Sequence, residues 1–490
     1  MQTGKPQSPG ESLRAVRLDK WKALQEEGRD PFRQTRFVRT HVMSDVRAGY
    51  PGNDGLGVRV AGRVTAIRRH GGAAFLDVED ASGRLQLHVE RTHADAFTLL
   101  DRLDLGDHVG AIGTVFQTRR GEVTVSVQEL IILAKSLRGL PDKRDGLKDV
   151  DARYRQRYLD LLANPDVRDV FRMRSDVVRL LREFLGGESF VEVETPILLT
   201  LAGGAEARPF TTHHNALDVT LYLRIAMELH LKRLIVGGYE AVYEIGRVFR
   251  NEGIDTRHSP EFTMLELYWA YHDYEDMMDL VERMVAHIVS HVRGSLQFDS
   301  QGHRLDFTPP WPRVDLTERF QAKTGVSWFD VATKDEAYAL ARRFRVEVQA
   351  GQTRGQILDK ITSQLVEPDL IGPTFLIHHP VDISPLAKCR AADPRLTERF
   401  EAFCLGRELG NAFSELNDPV DQRRRFEDQQ EDRRLGNDEV PELDEDYLTA
   451  LEYGLPPTAG LGIGIERLMM VVAGVPAIRD VIWFPVLRPL

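Results

Sequence analysis

The sequence predicts an α+β protein: a small N-terminal β-barrel of the OB type, then a larger domain of antiparallel sheet flanked by helices. Three observations carry this expectation. Between Gly57 and Leu137, five short runs alternate apolar and polar residues and are parted by Gly-containing turns. Beyond residue 152, helical runs alternate with strand-like runs whose neighbours read as hairpins and not as βαβ crossovers. The chain has 490 residues, 42 % hydrophobic and 28 % charged, enough for about two to four domains with a buried core.

Residues 1–54 comprise a polar tail and a helix from about Ser12 to Glu27. Leu13, Val16, Trp21 and Leu24 fall at roughly helical spacing there, and Gly28 and Pro31 stop the run. The barrel spans 55–140, with the runs VRVAGRVTAI, AAFLDVED, GRLQLHVE, HVGAIGTVFQT and EVTVSVQELIIL, and a helical insert, THADAFTLLDRL, after the third. Such a module often binds single-stranded nucleic acid, although other small barrels share the pattern. Residues 141–152 are charged and turn-rich and read as a linker. In 153–490, helices over Val167–Phe184 and Tyr274–Val292 separate the strands AVYEIGRVFR, FTMLELYWA, PTFLIHH and LGRELGNAFSELN. Residues 420–446 are charge-dense and read as a helix with a solvated face.

Charge is distributed unevenly. Residues 1–145 carry 23 basic and 19 acidic side chains, a balance of +4, and residues 146–490 carry 41 and 56, a balance of −15. The net −11 argues against a polyanionic partner, but the basic first third leaves room for local binding of one. Apolar runs fall far short of the ~20 residues of a membrane span, and no secretory leader is visible. Two cysteines, Cys389 and Cys404, without CxxC spacing suit a reducing cytoplasm. The pairs His213-His214 and His378-His379 read as structural.

Four constellations can carry chemistry. In AVYEIGRVFR–NEGIDTRHSPE–FTMLELYWA, alternation places Arg250 and Glu252 in step at the end of the first strand. It sets Phe262, Met264, Glu266 and Tyr268 on one face of the second. Arg257 and His258 stand in the loop, and arginines at a loop mouth suit a triphosphate because guanidinium pairs bidentately with phosphate oxygens. In RFEAFCLGRELGNAFSELN, Asn411, Phe413 and Glu415 share a face, with Glu401 and Glu408 just before them. Carboxylates beside an arginine-rich phosphate site suggest magnesium. AGLGIGIERLMMVVAG reads as a Gly-rich turn entering a helix, its Gly460, Gly462 and Gly464 letting backbone pass close to a flat ligand, with Arg467 reaching back. YLRIAMELHLKRLIVGG reads as a helix with Leu231, Leu234 and Ile235 inward, Glu228 near its N-terminus and Gly237 as its stop. Seen singly, a salt-bridged hairpin, a solvated carboxylate pair, helix–strand packing and a capping role explain each of them.

Together these segments resemble the class II aminoacyl-tRNA synthetases, specifically the lysyl-tRNA synthetases of subclass IIb. FVEVETPIL at 190–198 resembles motif 1, FRNEGIDTRHSPEFTMLELY motif 2 and GLGIGIERL motif 3. RYLDLL, GGAEARPF, THHNALD and GRELGNAFSELND are close to the lysine-specific signatures. The resemblance covers nearly the whole chain and implies a class II catalytic domain over 153–490 and an anticodon-binding barrel. It implies ATP-dependent activation of L-lysine, transfer to tRNA(Lys), Mg2+ as cofactor and a homodimer built through motif 1.

By that resemblance, Arg250 would hold the α-phosphate and the lysine carboxylate, and Glu252 would contact the adenine amino group. Phe262 and Arg467 would sandwich the adenine. Arg257 and His258 would meet the outer phosphates, and Glu401 and Glu408 would hold magnesium. Gly204 and Glu228 would receive the α-amino group, with Asn411 near the carboxylate. Tyr268 and Glu415 would bind the ε-ammonium and Phe413 would pack along the stem. In the barrel, Phe75 would stack on an anticodon base and Gln86 would hydrogen-bond one. The chain departs from the family pattern at Met227, where a proline is common, at Glu206, where a small residue is usual, at Glu466 in place of Asp, and at Cys389-Arg390-Ala391-Ala392.

Overall fold

A computed structural model of the chain describes residues 9–141, 146–349, 351–434 and 442–489. The start of the polar tail, part of the predicted linker and the middle of the 420–446 stretch lie outside the described residues. The chain forms two compact units, Met1–Lys148 and Asp149–Leu490. No helix among the described residues is long and apolar enough to cross a membrane.

The first unit opens with helix α1 (Pro9–Glu26), followed by the short α2 (Met43–Ala48). Of the four apolar positions read at helical spacing, Leu24 is fully buried, whereas Leu13 and Val16 are exposed. Strands β1 (Gly57–His70), β2 (Ala73–Asp80), β3 (Gly83–Glu90), β4 (His108–Gln117) and β5 (Val123–Ala134) close into a barrel in the order β1-β2-β3-β5-β4. Helix α3 (Ala94–Leu99) lies between the third and fourth strands, as predicted. The period-two pattern sends Leu76, Val78, Leu85, Leu87, Val89, Val125 and Val127 into the core, each fully buried. Burial of such side chains stabilises by about 1.5–3 kcal/mol each. The intervening positions Phe75, Gln86 and His88 face outward.

The second unit is built on an eight-stranded sheet. After helix α4 (Pro165–Gly187) come β6 (Val191–Glu192), α5 (Glu228–Val236), β7 (Ala241–Phe249), β8 (Glu261–Ala270) and α6 (Tyr274–Arg293). Then follow β9 (Arg313–Asp315), α7 (Arg354–Leu365), β10 (Thr374–Ile377), β11 (Arg399–Cys404), β12 (Arg407–Ser414), α8 (Pro419–Arg434), α9 (Glu445–Glu452), β13 (Thr458–Gly464) and α10 (Ile465–Ala473). The sheet order is β9-β10-β11-β12-β13-β8-β7-β6. Its six central strands are antiparallel, as expected. The edge pairs β9–β10 and β7–β6 are parallel, which hairpin reasoning did not anticipate because their partners are far apart in sequence. Helices α4, α6 and α10 pack one face through Leu180, Leu181, Met277, Met284, Leu468 and Met469. On the other face α5 and α9 pack against Val242 and Val248, and α7 against Leu376 and Phe403.

Three local expectations need correction. Gly460, Gly462 and Gly464 lie on the central strand β13 and not in a turn, and the helix begins only at Ile465. The segment Tyr222–Met227 is not helical; α5 starts at Glu228. Helix α8 is not simply a solvated face, because Gln422 and Arg425 are buried on it and Arg425 donates to the Ser384 and Ala387 carbonyls.

Candidate active site

A cavity of about 910 Å³ opens over the centre of the sheet. Every residue expected to touch ATP, amino acid or metal lines it: Gly204, Glu228, Arg250, Glu252, Arg257, His258, Phe262, Tyr268, Glu401, Glu408, Asn411, Phe413, Glu415 and Arg467. The outward alternation of β8 delivers Phe262, Met264, Glu266 and Tyr268 to it, and that of β12 delivers Asn411 and Phe413.

At one end of the cavity, Arg250 and Glu252 stand just beyond β7, which ends at Phe249, so alternation does not set their direction. The loop does so instead: Arg250 Nε donates to the Ile225 carbonyl at 3.3 Å, and its guanidinium lies 5.3 Å from the Phe262 ring centroid. Arg257 and His258 are exposed and arranged by Asp255, which accepts both backbone N–H groups at 2.6 and 2.7 Å. His258 Nδ1 meets the same carboxylate at 2.9 Å. Asp255 was not singled out from the sequence; an Asp three residues before the His in a turn is the signal that could have found it.

Carboxylates crowd the next part of the cavity. Glu408 accepts from Arg467 Nη1 at 2.7 Å, and Glu401 from Arg399 Nη2 at 2.7 Å. Arg399 also donates to Asn411 Oδ1 at 3.0 Å, so this arginine, absent from the sequence-based set, organises two expected ligands. Burial alone would push Glu401 up, but His379 and Arg399 draw it down to about 2. Asp359 on α7 opens onto the cavity, yet the walls around it desolvate its carboxyl and, with Glu401, push it up to about 7. No group of three or more His, Cys, Asp or Glu among the described residues could hold a metal alone. Two cavity-facing carboxylates in a crowded acidic wall nonetheless match how magnesium binds, through one or two carboxylates and substrate phosphates.

The far end is lined by carboxylates and rings. Tyr268 of β8 and Phe413 of β12 both pair in register with Gly460 of the intervening strand β13. A Cβ at Gly460 would run into Glu415 Oε1 and the Tyr268 ring, so glycine makes the slot in which Glu415 sits. Glu415 is fully buried and forms an ion pair with Lys232. Gly204 has φ +86°, and a Cβ there would stand 3.2 Å from those of Ala226 and Glu228. Glu266, fully enclosed, has its carboxyl pushed up to about 7 by burial and then by neighbouring Glu228.

The departures from the family pattern are accommodated. Glu466 accepts from Arg174 Nη2 at 2.7 Å and from the Thr263 N–H at 2.9 Å. Glu206 accepts from Gln356 Nε2 and Gln429 Nε2, each at 3.0 Å. On the barrel, Phe75 is half-buried and stacks on His88 with centroids 4.6 Å apart, so it is not a core position, and Gln86 Oε1 accepts from the Thr124 hydroxyl at 3.0 Å.

Residues 149–488 match the model for tRNA synthetases class II (D, K and N), and residues 58–133 match that of an OB-fold nucleic acid binding domain. A protein of Moorella thermoacetica named lysine–tRNA ligase is 53 % identical over 479 residues, covering 97 % of this chain and 98 % of its own. Proteins of the same name from Carboxydothermus hydrogenoformans and Bacillus subtilis are 50 % and 48 % identical, covering 97 % and 96 % of this chain and the same shares of their own.

Proposed function

The chain belongs to the class II tRNA synthetases of the D, K and N group, and from that premise we propose that it activates L-lysine with ATP and transfers it to tRNA(Lys). One observation carries the choice of lysine: the amino-acid end of the cavity holds the buried carboxylate of Glu415 beneath the rings of Tyr268 and Phe413. A cationic side chain entering a low-dielectric pocket needs such a partner; Lys232 offsets only one of the two charges of Glu228 and Glu415, and an acidic side chain would add to the charge left over.

In the first step the lysine carboxylate attacks the ATP α-phosphate and pyrophosphate leaves. In the second, a terminal ribose hydroxyl of the tRNA attacks the adenylate carbonyl and AMP leaves. No protein nucleophile takes part. Arg250 spans the α-phosphate and the amino-acid carboxylate and stabilises charge that builds as the bond forms. Phe262 and Arg467 hold the adenine, Glu252 meets its amino group, and Arg257 and His258 meet the outer phosphates. Gly204 and Glu228 receive the α-ammonium and Asn411 lies near the carboxylate. Glu401 and Glu408 would hold Mg2+, which supplies charge neutralisation on the phosphates when bound.

Phe75 and Gln86 read anticodon bases from the outer face of the barrel. The segment 190–198 joins two copies into a homodimer, a reading supported by the exposure of Val191, Ile197 and Leu198. The cytoplasm is the setting, consistent with cysteines that are both free. Incorporation of labelled lysine into tRNA(Lys) in the presence of ATP and Mg2+ tests the whole reaction. Lysine incorporation should depend on all three; charging of tRNA(Asp) or tRNA(Asn) instead would overturn the assignment.

A further inference from the structure

Lys232 carries a buried charge that the reaction scheme leaves without a task. It stands one turn beyond Glu228 on α5 and is fully enclosed. Its Nζ donates to Glu228 Oε1 at 2.5 Å and pairs with Glu415 Oε2. The ring centroids of Tyr268, Phe413 and Tyr447 lie 5.8, 5.6 and 5.8 Å from that nitrogen. Glu228 and Glu415 line the cavity, but Lys232 and Tyr447 do not. The ammonium therefore sits behind the wall, and the two carboxylates stand between it and the space the substrate enters.

We propose that Lys232 is a positioning residue for the amino acid: from behind the wall it grips one oxygen each of Glu228 and Glu415, and so fixes the distance between the carboxylate for the α-ammonium and the carboxylate for the ε-ammonium. The inference rests on the lysine reading of the site. Two enclosed carboxylates without a shared cation would repel, and one would turn away or take up a proton. A single ammonium between them relieves that repulsion yet offsets only one of the two negative charges. The remaining charge favours an incoming cation, and the fixed separation favours one chain length over another.

Lysine-dependent ATP–pyrophosphate exchange by Lys232→Met tests this, with ornithine, one methylene shorter, as the competing substrate. The variant should raise KM for lysine about tenfold or more while KM for ATP stays within about twofold. Discrimination of lysine over ornithine should shrink, from the roughly 10–200-fold that one methylene can give in a fitted pocket. Wild-type lysine KM and discrimination in the folded variant would overturn the proposal. A parallel rise in both KM values with a fall in kcat would also overturn it, as the mark of a merely structural role. Circular dichroism reports whether Lys232→Met folds. If it does not, Lys232→Arg decides, since it keeps the charge but changes the grip. That variant should lose discrimination, and wild-type behaviour from it would sink the idea. Absence of lysine-dependent exchange in the unmodified protein would count against the lysine reading itself.

Discussion

The backbone N–H of Met227 donates to both carboxylate oxygens of Glu266, at 3.1 and 3.2 Å. A proline at position 227, common in the family pattern, has no N–H to give. This chain therefore ties the carboxylate on the floor of its cavity to the residue that precedes the helix bearing Glu228.

Glu266 makes the folding stability sensitive to pH. Burial, then Glu228, raises its carboxyl from 4.5 to about 7. Between those values the folded protein keeps a proton that the unfolded chain has released, so stability falls as pH rises through the window. Glu266→Gln has no such proton to lose. Its thermal stability should gain on that of the unmodified protein from pH 5 to pH 8, by up to about 3 kcal/mol. A difference that stays constant with pH would contradict the assignment.

Glu206 lines the cavity together with Gly204 and Glu228, proposed to receive the α-ammonium, but both its oxygens accept from the amides of Gln356 and Gln429. Its charge is thereby engaged away from the substrate. Glu206→Ala should leave lysine KM within about threefold and stability within about 0.5 kcal/mol, because these bonds are exposed. A larger rise in lysine KM, measured by exchange kinetics, would make it a ligand.

Phe75 lies on the barrel's outer face, in the unit separate from the one that holds the cavity. Phe75→Ala should leave lysyl-adenylate formation intact and reduce kcat/KM for tRNA by the worth of one stacked base, about 1–3 kcal/mol. Equal losses in pyrophosphate exchange and tRNA charging would assign Phe75 a structural role.

What was legible in the sequence depended on local periodicity. Strict alternation marked the barrel strands and the β7–β8 hairpin, and it correctly set Phe262, Met264, Glu266 and Tyr268 toward one cavity. The rest depended on contacts distant in sequence. Gly460, Gly462 and Gly464 read as a turn because glycine is poor in strands; on β13, Gly460 makes room for Tyr268 and Glu415, and Gly462 for Met264 and Glu266. Arg399 and Lys232 each face a carboxylate on their own element, Glu401 and Glu228, but their second partners, Asn411 and Glu415, come from distant sequence that local spacing does not reveal. Gln422 and Arg425 were hidden in a run too charged to suggest a packed face.

Arg250 lines the cavity, and in the proposed reaction it spans the α-phosphate and the amino-acid carboxylate. Arg250→Ala should cut lysine-dependent exchange by at least about 10³-fold, the scale of losing a charged transition-state donor. The fold should survive, because the guanidinium holds the protein through a long 3.3 Å contact with the Ile225 carbonyl and the backbone bonds of residue 250 persist in alanine. Near wild-type exchange would remove Arg250 from the mechanism.

In the proposed reaction the Glu415 pocket selects lysine. ATP–pyrophosphate exchange run with each of the twenty amino acids in turn tests it most directly. Exchange should be rapid with lysine alone, and lost in Glu415→Gln. Exchange driven by aspartate, asparagine or any other amino acid at a comparable rate would contradict it.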